Sequence, residues 1–145
     1  MTDSQQHYLL IINGKSAGNP ALREAVNEQR QAGMLITVRA TWEGGDAADI
    51  AEQSGAMGIT HVIACGGDGT VSEVMNGLMR LPHDRRPALV IVPLGSANDF
   101  ATSVGLPLEP GAALAAAREL SAYPIDVVRV TAGAGGESST SYYIN

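Results

Sequence analysis

Short apolar runs separated by helical patterns punctuate the chain from residue 8 to residue 130. YLLIIN (8–13), LITVRAT (35–41), HVIAC (61–65) and ALVIVPL (88–94) have the length and β-branched content of strands. Between them, Leu22 and Val26 mark the inner face of one helix, with Asn19 as its cap, Pro20 in its first turn and Gly33 beyond its end. Asp46 is expected to cap a short alanine-rich helix that carries Ile50 inward. Val71, Val74, Met75, Leu78 and Met79 form one stripe of a third helix. Residues 82–87 read as a surface loop, 110–120 as a further helix and 125–130 as another strand. Strand and helix in alternation predict an α/β fold: a three-layer Rossmann-like lobe with a mostly parallel sheet flanked by helices.

The rest of the composition narrows the function. A length of 145 residues suits one domain with a real core, and 45% hydrophobic with 17% charged residues is a globular balance. The net charge of −6, with no basic run, argues against nucleic acid as a partner and against strong electrostatic docking on acidic lipid. Cys65 is the one cysteine, so no internal disulfide forms, and the start MTDSQQHYLL lacks the regions of a signal peptide. No apolar stretch approaches the ~20 residues that span a bilayer. The chain reads as cytoplasmic. His7, His61 and His83 lie too far apart to suggest a zinc site.

Three turn-rich loops follow three of the strands, at residues 14–18, 66–70 and 95–99. In an open α/β sheet, ligands collect beyond the carboxyl ends of the strands, and glycine lets backbone N–H groups approach phosphate. Gly14-Lys15-Ser16 is not a Walker A loop, because the earlier glycine of that motif falls at Leu9, inside a strand. No G-x-G-x-x-G follows the first strand either. Gly66-Gly67-Asp68-Gly69-Thr70, between a strand and an amphipathic helix, is compatible with a tight turn capped by Asp68 and Thr70 or with a phosphate loop. A carboxylate beside phosphate is unfavourable unless Mg²⁺ or a substrate proton lies between them. Of the flanking residues, Lys15 reads as a solvated loop lysine rather than a phosphate ligand, one of Asn98 and Asp99 as the cap of a short helix, and Cys65 as a buried strand residue. Trp42 reads either as an adenine-stacking group or as a partly buried indole with an N–H partner.

GGDGT at residues 66–70, followed by Glu73, resembles the signature loop of diacylglycerol kinases, sphingosine kinases and NAD kinases. PLGSANDFA at 93–101 resembles the second signature of the lipid-kinase branch, and NAD kinases differ there. Residues 12–16 (INGKS) and 39–43 (RATWE) are similar to the YegS-type bacterial lipid kinases in particular. The resemblance implies a two-lobed ATP-dependent lipid kinase using Mg²⁺. It places residues 1–132 in the nucleotide-binding lobe and reads 133–145 as a linker and the start of a strand leading to a β-sandwich lobe. The last four residues, Tyr142-Tyr143-Ile144-Asn145, look like half a strand with no partner in the chain, so a truncated chain is expected.

Carried over by position, Thr41, Gly67, Asp68, Gly69, Thr70, Val71, Ser72, Glu73 and Ser96 would bind ATP, with Asp68 nearest the phosphates and any metal. Ser96 stands where threonine is usual and keeps the hydroxyl. Ser72 stands where asparagine is common and shortens the side chain. The family's general base and structural metal ligands belong to the second lobe, so no catalytic residue is assigned here, and the chain alone is expected to be inactive. The implied partners are ATP and a diacylglycerol- or phosphatidylglycerol-like lipid, met through transient peripheral contact at the inner membrane face. An NAD kinase-like enzyme and a non-catalytic nucleotide-binding module are the alternatives.

Overall fold

A computed structural model describes residues 5–94, 102, 105, 107–119, 122, 124, 125, 127–134 and 137–143. Four parallel strands form its centre: β1 (His7–Asn13), β2 (Leu35–Thr41), β3 (His61–Gly66) and β4 (Ala88–Pro93), in the order β2-β1-β3-β4. The helices are α1 (Pro20–Gln31), α2 (Asp46–Gln53), α3 (Asp68–Met79) and α4 (Pro110–Glu119).

Alternation along β1 builds two cores at once. Tyr8, Leu10 and Ile12 join Leu22, Ala25 and Val26 of α1 and Ala113 and Leu114 of α4 on one face. Leu9 and Ile11 join Ala47 and Ala51 of α2 and Val71, Val74 and Leu78 of α3 on the other. Burial on both faces explains why β1 and β3 read as continuous apolar runs, whereas the edge strand β2 is largely exposed. Each fully buried aliphatic side chain contributes roughly 1.5–3 kcal/mol. The face of each helix follows from connectivity: right-handed crossovers put α1, which leads outward from β1 to β2, opposite α2, which leads back across β1 to β3, and α3, which leads on from β3 to β4.

Local signals set most boundaries. Asn19 caps α1, its Oδ1 accepting the Leu22 N–H at 3.0 Å, with Pro20 in the first turn. Gly33, at φ 100°, takes the left-handed turn after α1. Arg86 donates to the Leu81 carbonyl beyond the end of α3 at 2.9 Å. Met79, expected on the inner stripe of α3, is only partly buried. Within the polar stretch at 82–87, His83–Arg85 forms a 3-10 turn.

Two expectations are corrected. Asp46 does not cap α2: Gly45 occupies the cap position, and the Asp46 carboxylate turns back to the preceding loop. The Gly- and Ser-rich tail is not a linker throughout, nor is its last strand unpartnered. β5 (Val128–Ala134) and β6 (Glu137–Tyr143) form an antiparallel hairpin, with Val128 opposite Tyr143 and Ala134 opposite Glu137. Backbone hydrogen bonding across the hairpin outweighs the weak strand preference of Gly and Ser. Among the described residues no helix is long and apolar enough to cross a membrane.

Candidate functional site

The sheet changes direction between β1 and β3: the chain leaves β1 for β2 on one side and returns to β3 on the other. At such a switch point the loops at the carboxyl ends diverge and leave a crevice. β1 and β2 end side by side, with Asn13 paired in register with Thr41. Gly14 follows at once, and a Cβ placed there would lie 2.6 Å from the Thr41 carbonyl oxygen, so only glycine fits without moving a strand end. Asn13 Oδ1 accepts the Lys15 N–H at 2.9 Å and shapes the 3-10 turn Gly14–Ser16.

The opposite wall is loop 42–45. Asp46 Oδ2 accepts the N–H groups of Trp42 and Glu43, each at 2.9 Å. Those two bonds, Glu43's first, hold the Asp46 carboxyl below the usual carboxylate range. Glu73 of α3 reaches across to accept the Gly45 N–H at 2.6 Å. Between these pieces lies an open cleft of about 530 Å³, lined by Asn13, Gly14, Lys15, Thr41, Trp42, Glu43, Gly44 and Glu73. The Trp42 indole stands on its rim, 96% exposed, which excludes the partly buried reading.

β3 delivers the glycine turn into α3. Gly66 packs directly on Thr70, where a Cβ would meet Oγ1 at 2.6 Å. Gly67, in extended conformation, is the cap residue and supplies no side-chain hydrogen bond, and α3 begins at Asp68. The first-turn N–H groups of a helix have no intrahelical partner, and the helix dipole adds positive potential there.

Of the residues predicted to bind, the structure brings Thr41 and Glu73 together on the cleft, while Gly67, Asp68, Gly69, Thr70, Val71 and Ser72 lie at and after the start of α3. The Val71 side chain faces the core with Leu9 and Ile11, and its N–H bonds to the Gly67 carbonyl at 3.1 Å. Ser96, Asn98 and Asp99 lie outside the described residues. The list of binding residues drawn from the sequence left out Asn13, Gly14, Glu43, Gly44 and Asp46, although Gly14 opens one of the three candidate loops and Asp46 was expected to be a helix cap. The pairing of the β1 and β2 ends was the available signal, since adjacent parallel strands finish in one place. Cys65 is fully buried in β3, and burial pushes its thiol up to about 12, which makes it inert. No group of three or more His, Cys, Asp or Glu residues among the described residues is placed to hold a metal ion.

An α/β lobe with a glycine turn running into a helix N-terminus at its switch point is the architecture through which one class of α/β domains binds phosphate. Within that class, the chain is a member of the diacylglycerol kinase catalytic domain family, whose pattern matches residues 7–130. It is 51% identical over 136 residues to a Chromohalobacter salexigens protein named "Probable lipid kinase YegS-like", covering 94% of this chain and 41% of that protein. A Yersinia pestis protein of the same name is 48% identical over 139 residues, covering 96% of this chain and 45% of its own length. A crystal structure of a diacylglycerol kinase from Bacillus anthracis superposes with a TM-score of 0.65 at 31% identity, covering 94% of this chain and 46% of that one. The chain thus spans less than half the length of the relatives it matches.

Proposed function

We propose that this chain is the nucleotide-binding lobe of an ATP-dependent lipid kinase. The enzyme transfers a phosphoryl group from ATP to a hydroxyl of a diacylglycerol- or phosphatidylglycerol-like lipid. One observation carries the reading: a strand–GGDGT–helix junction at the sheet's switch point, in a member of the diacylglycerol kinase family.

The glycine backbone and the first N–H groups of α3 hold phosphate, each charge-assisted bond contributing roughly 1.5–3 kcal/mol. Lys15 adds a cation on the cleft, and Thr41 orients the nucleotide beside it. Glu43 and Glu73 line the cleft and Asp68 opens α3, and carboxylates in these places suit a phosphate that arrives carrying Mg²⁺. The ion is delivered with the nucleotide, with Asp68 as its carboxylate. When bound, Mg²⁺ offsets charge on the phosphates. Gly67, Gly69, Thr70, Ser72 and Ser96 complete the nucleotide contacts. Val71 contributes through the helix it anchors rather than by its own side chain. The general base is supplied from outside this chain, which therefore binds nucleotide without transferring phosphate. The enzyme works at the cytoplasmic membrane face, in transient peripheral contact with its lipid.

The chain's single tryptophan sits on the cleft rim, so its emission reports nucleotide binding directly. Titration with Mg-ATP gives a saturable change in Trp42 fluorescence, together with amide shifts over residues 66–73. Silence of those amides at saturating nucleotide would rule the site out. A lipid panel with labelled ATP, assayed on the protein that carries both lobes, tests the transfer itself. Labelling of NAD and of no lipid in that assay would replace the lipid-kinase reading.

A further inference from the structure

Helix α3 is braced on two sides. Toward the cleft, Glu73 holds the Gly45 N–H. Three residues further along the helix, Asn76 holds the β5–β6 hairpin. Its Oδ1 accepts the Tyr142 N–H at 2.8 Å, and its Nδ2 donates to the Tyr142 carbonyl at 3.1 Å. The same Nδ2 donates to the Ser72 carbonyl, one turn back, at 2.8 Å. A side-chain amide that exchanges both bonds with one backbone residue takes the place of a neighbouring strand's peptide group. It is therefore specific in both position and direction. Asn76 is half-buried, and the three bonds use its acceptor and its donor group together.

The Ser72 bond makes this more than an anchor. Ser72 lies in the second turn of α3, and its carbonyl and the Tyr142 backbone share one Nδ2 group. A shift of the first turns of α3 along the helix axis therefore moves the amide that holds β6. We infer that Asn76 is a positioning residue that couples nucleotide occupancy at the start of α3 to the placement of the β5–β6 hairpin. The coupling rests on the nucleotide-binding reading above. By reciprocity, the factor by which nucleotide favours the docked hairpin is the factor by which docking favours nucleotide.

The test combines amide exchange with nucleotide affinity in this chain and in its Asn76→Ala and Asn76→Asp variants. Alanine is favourable in a helix and removes all three bonds, whereas aspartate keeps the acceptor for the Tyr142 N–H and loses the donor. In the unsubstituted chain, the Tyr142 amide is protected and Mg-ATP slows its exchange further. In Asn76→Ala, Tyr142 exchanges about tenfold faster or more while the Leu10 and Ile63 amides keep their protection. In that variant Tyr142 no longer responds to nucleotide, and Mg-ATP affinity falls about fivefold or more. Asn76→Asp gives an intermediate loss.

Amides 66–73 that respond to Mg-ATP while Tyr142 stays silent in the unsubstituted chain would overturn the coupling and leave the nucleotide site standing. Silence at both places would overturn the site and the coupling with it. A lower melting temperature in Asn76→Ala with unchanged affinity of the folded chain would reduce Asn76 to a structural residue and overturn the inference.

Discussion

Asp68 and Gly14 are held to their identities by different forces, and their substitutions separate chemistry from packing. Asp68 opens α3, where an acidic group is favoured by the helix N-terminus. On the function proposed above, Asp68→Ala is expected to abolish phosphoryl transfer in the protein that carries both lobes, with retained folding checked by its melting temperature. Transfer that survives within tenfold, equivalent to about 1.4 kcal/mol, would make Asp68 a turn residue only. Gly14→Ala works the other way. Its Cβ would press on the Thr41 carbonyl at 2.6 Å, so the paired ends of β1 and β2 must part. The expected loss is about 1–3 kcal/mol, read as a lower melting temperature. An unchanged melting temperature would mean that the two strand ends separate freely.

At the scale of elements, loop 42–45 is held by two carboxylates: Asp46 at the Trp42 and Glu43 N–H groups, and Glu73 at that of Gly45. The folded pKa of Asp46 lies below its ordinary value of 3.8, because the ionised form accepts the Glu43 and Trp42 N–H groups. Its contribution is therefore complete above pH 3.8 and is lost as pH falls from there through the lower folded value. Trp42 emission is expected to change across that acid range in the unsubstituted chain. The change is absent in Asp46→Asn, which keeps an acceptor but does not titrate. An identical acid response in both would assign it to another carboxylate.

This loop also shows where sequence reading stops. β2 was legible to the residue, because LITVRAT alternates against two faces, and α1 was legible from Asn19-Pro20 at its start and Gly33 after its end. The role of Asp46 was not, since a helix cap and a backward loop brace place aspartate at the same position. The hairpin's second strand was hidden too, because ESSTS carries no apolar period. Glu73 was on the candidate list, but its reach to Gly45 and that of Asn76 to Tyr142 cross 28 and 66 residues of chain. No local pattern encodes either contact.

At the scale of the whole molecule, β3 is the deepest strand and Cys65 its built-in probe. The thiol is fully buried and burial pushes it up to about 12, so a disulfide reagent at pH 8 reaches it only when the sheet opens. Its labelling rate should follow global unfolding in urea, and saturating Mg-ATP should slow it by mass action. Labelling at the rate of a free thiol in native buffer would show that β3 opens locally. The GGDGT junction itself was legible as a strand end, a glycine turn and a helix start. The cleft was not, because its walls come from β1, loop 42–45 and α3, which only the fold assembles.

One close approach carries a consequence for how such a domain can vary. At Gly77, α3 lies so near α2 that a Cβ would collide with the backbone of Ala48. Around Gly69, by contrast, nothing stands within 4 Å of that position. In a library that randomises both codons and selects for folded protein, position 77 returns glycine alone, while position 69 returns a mixture until nucleotide binding is added to the selection. The two glycines of one helix thus separate, in a single sequencing experiment, what the domain requires in order to exist from what it requires in order to work.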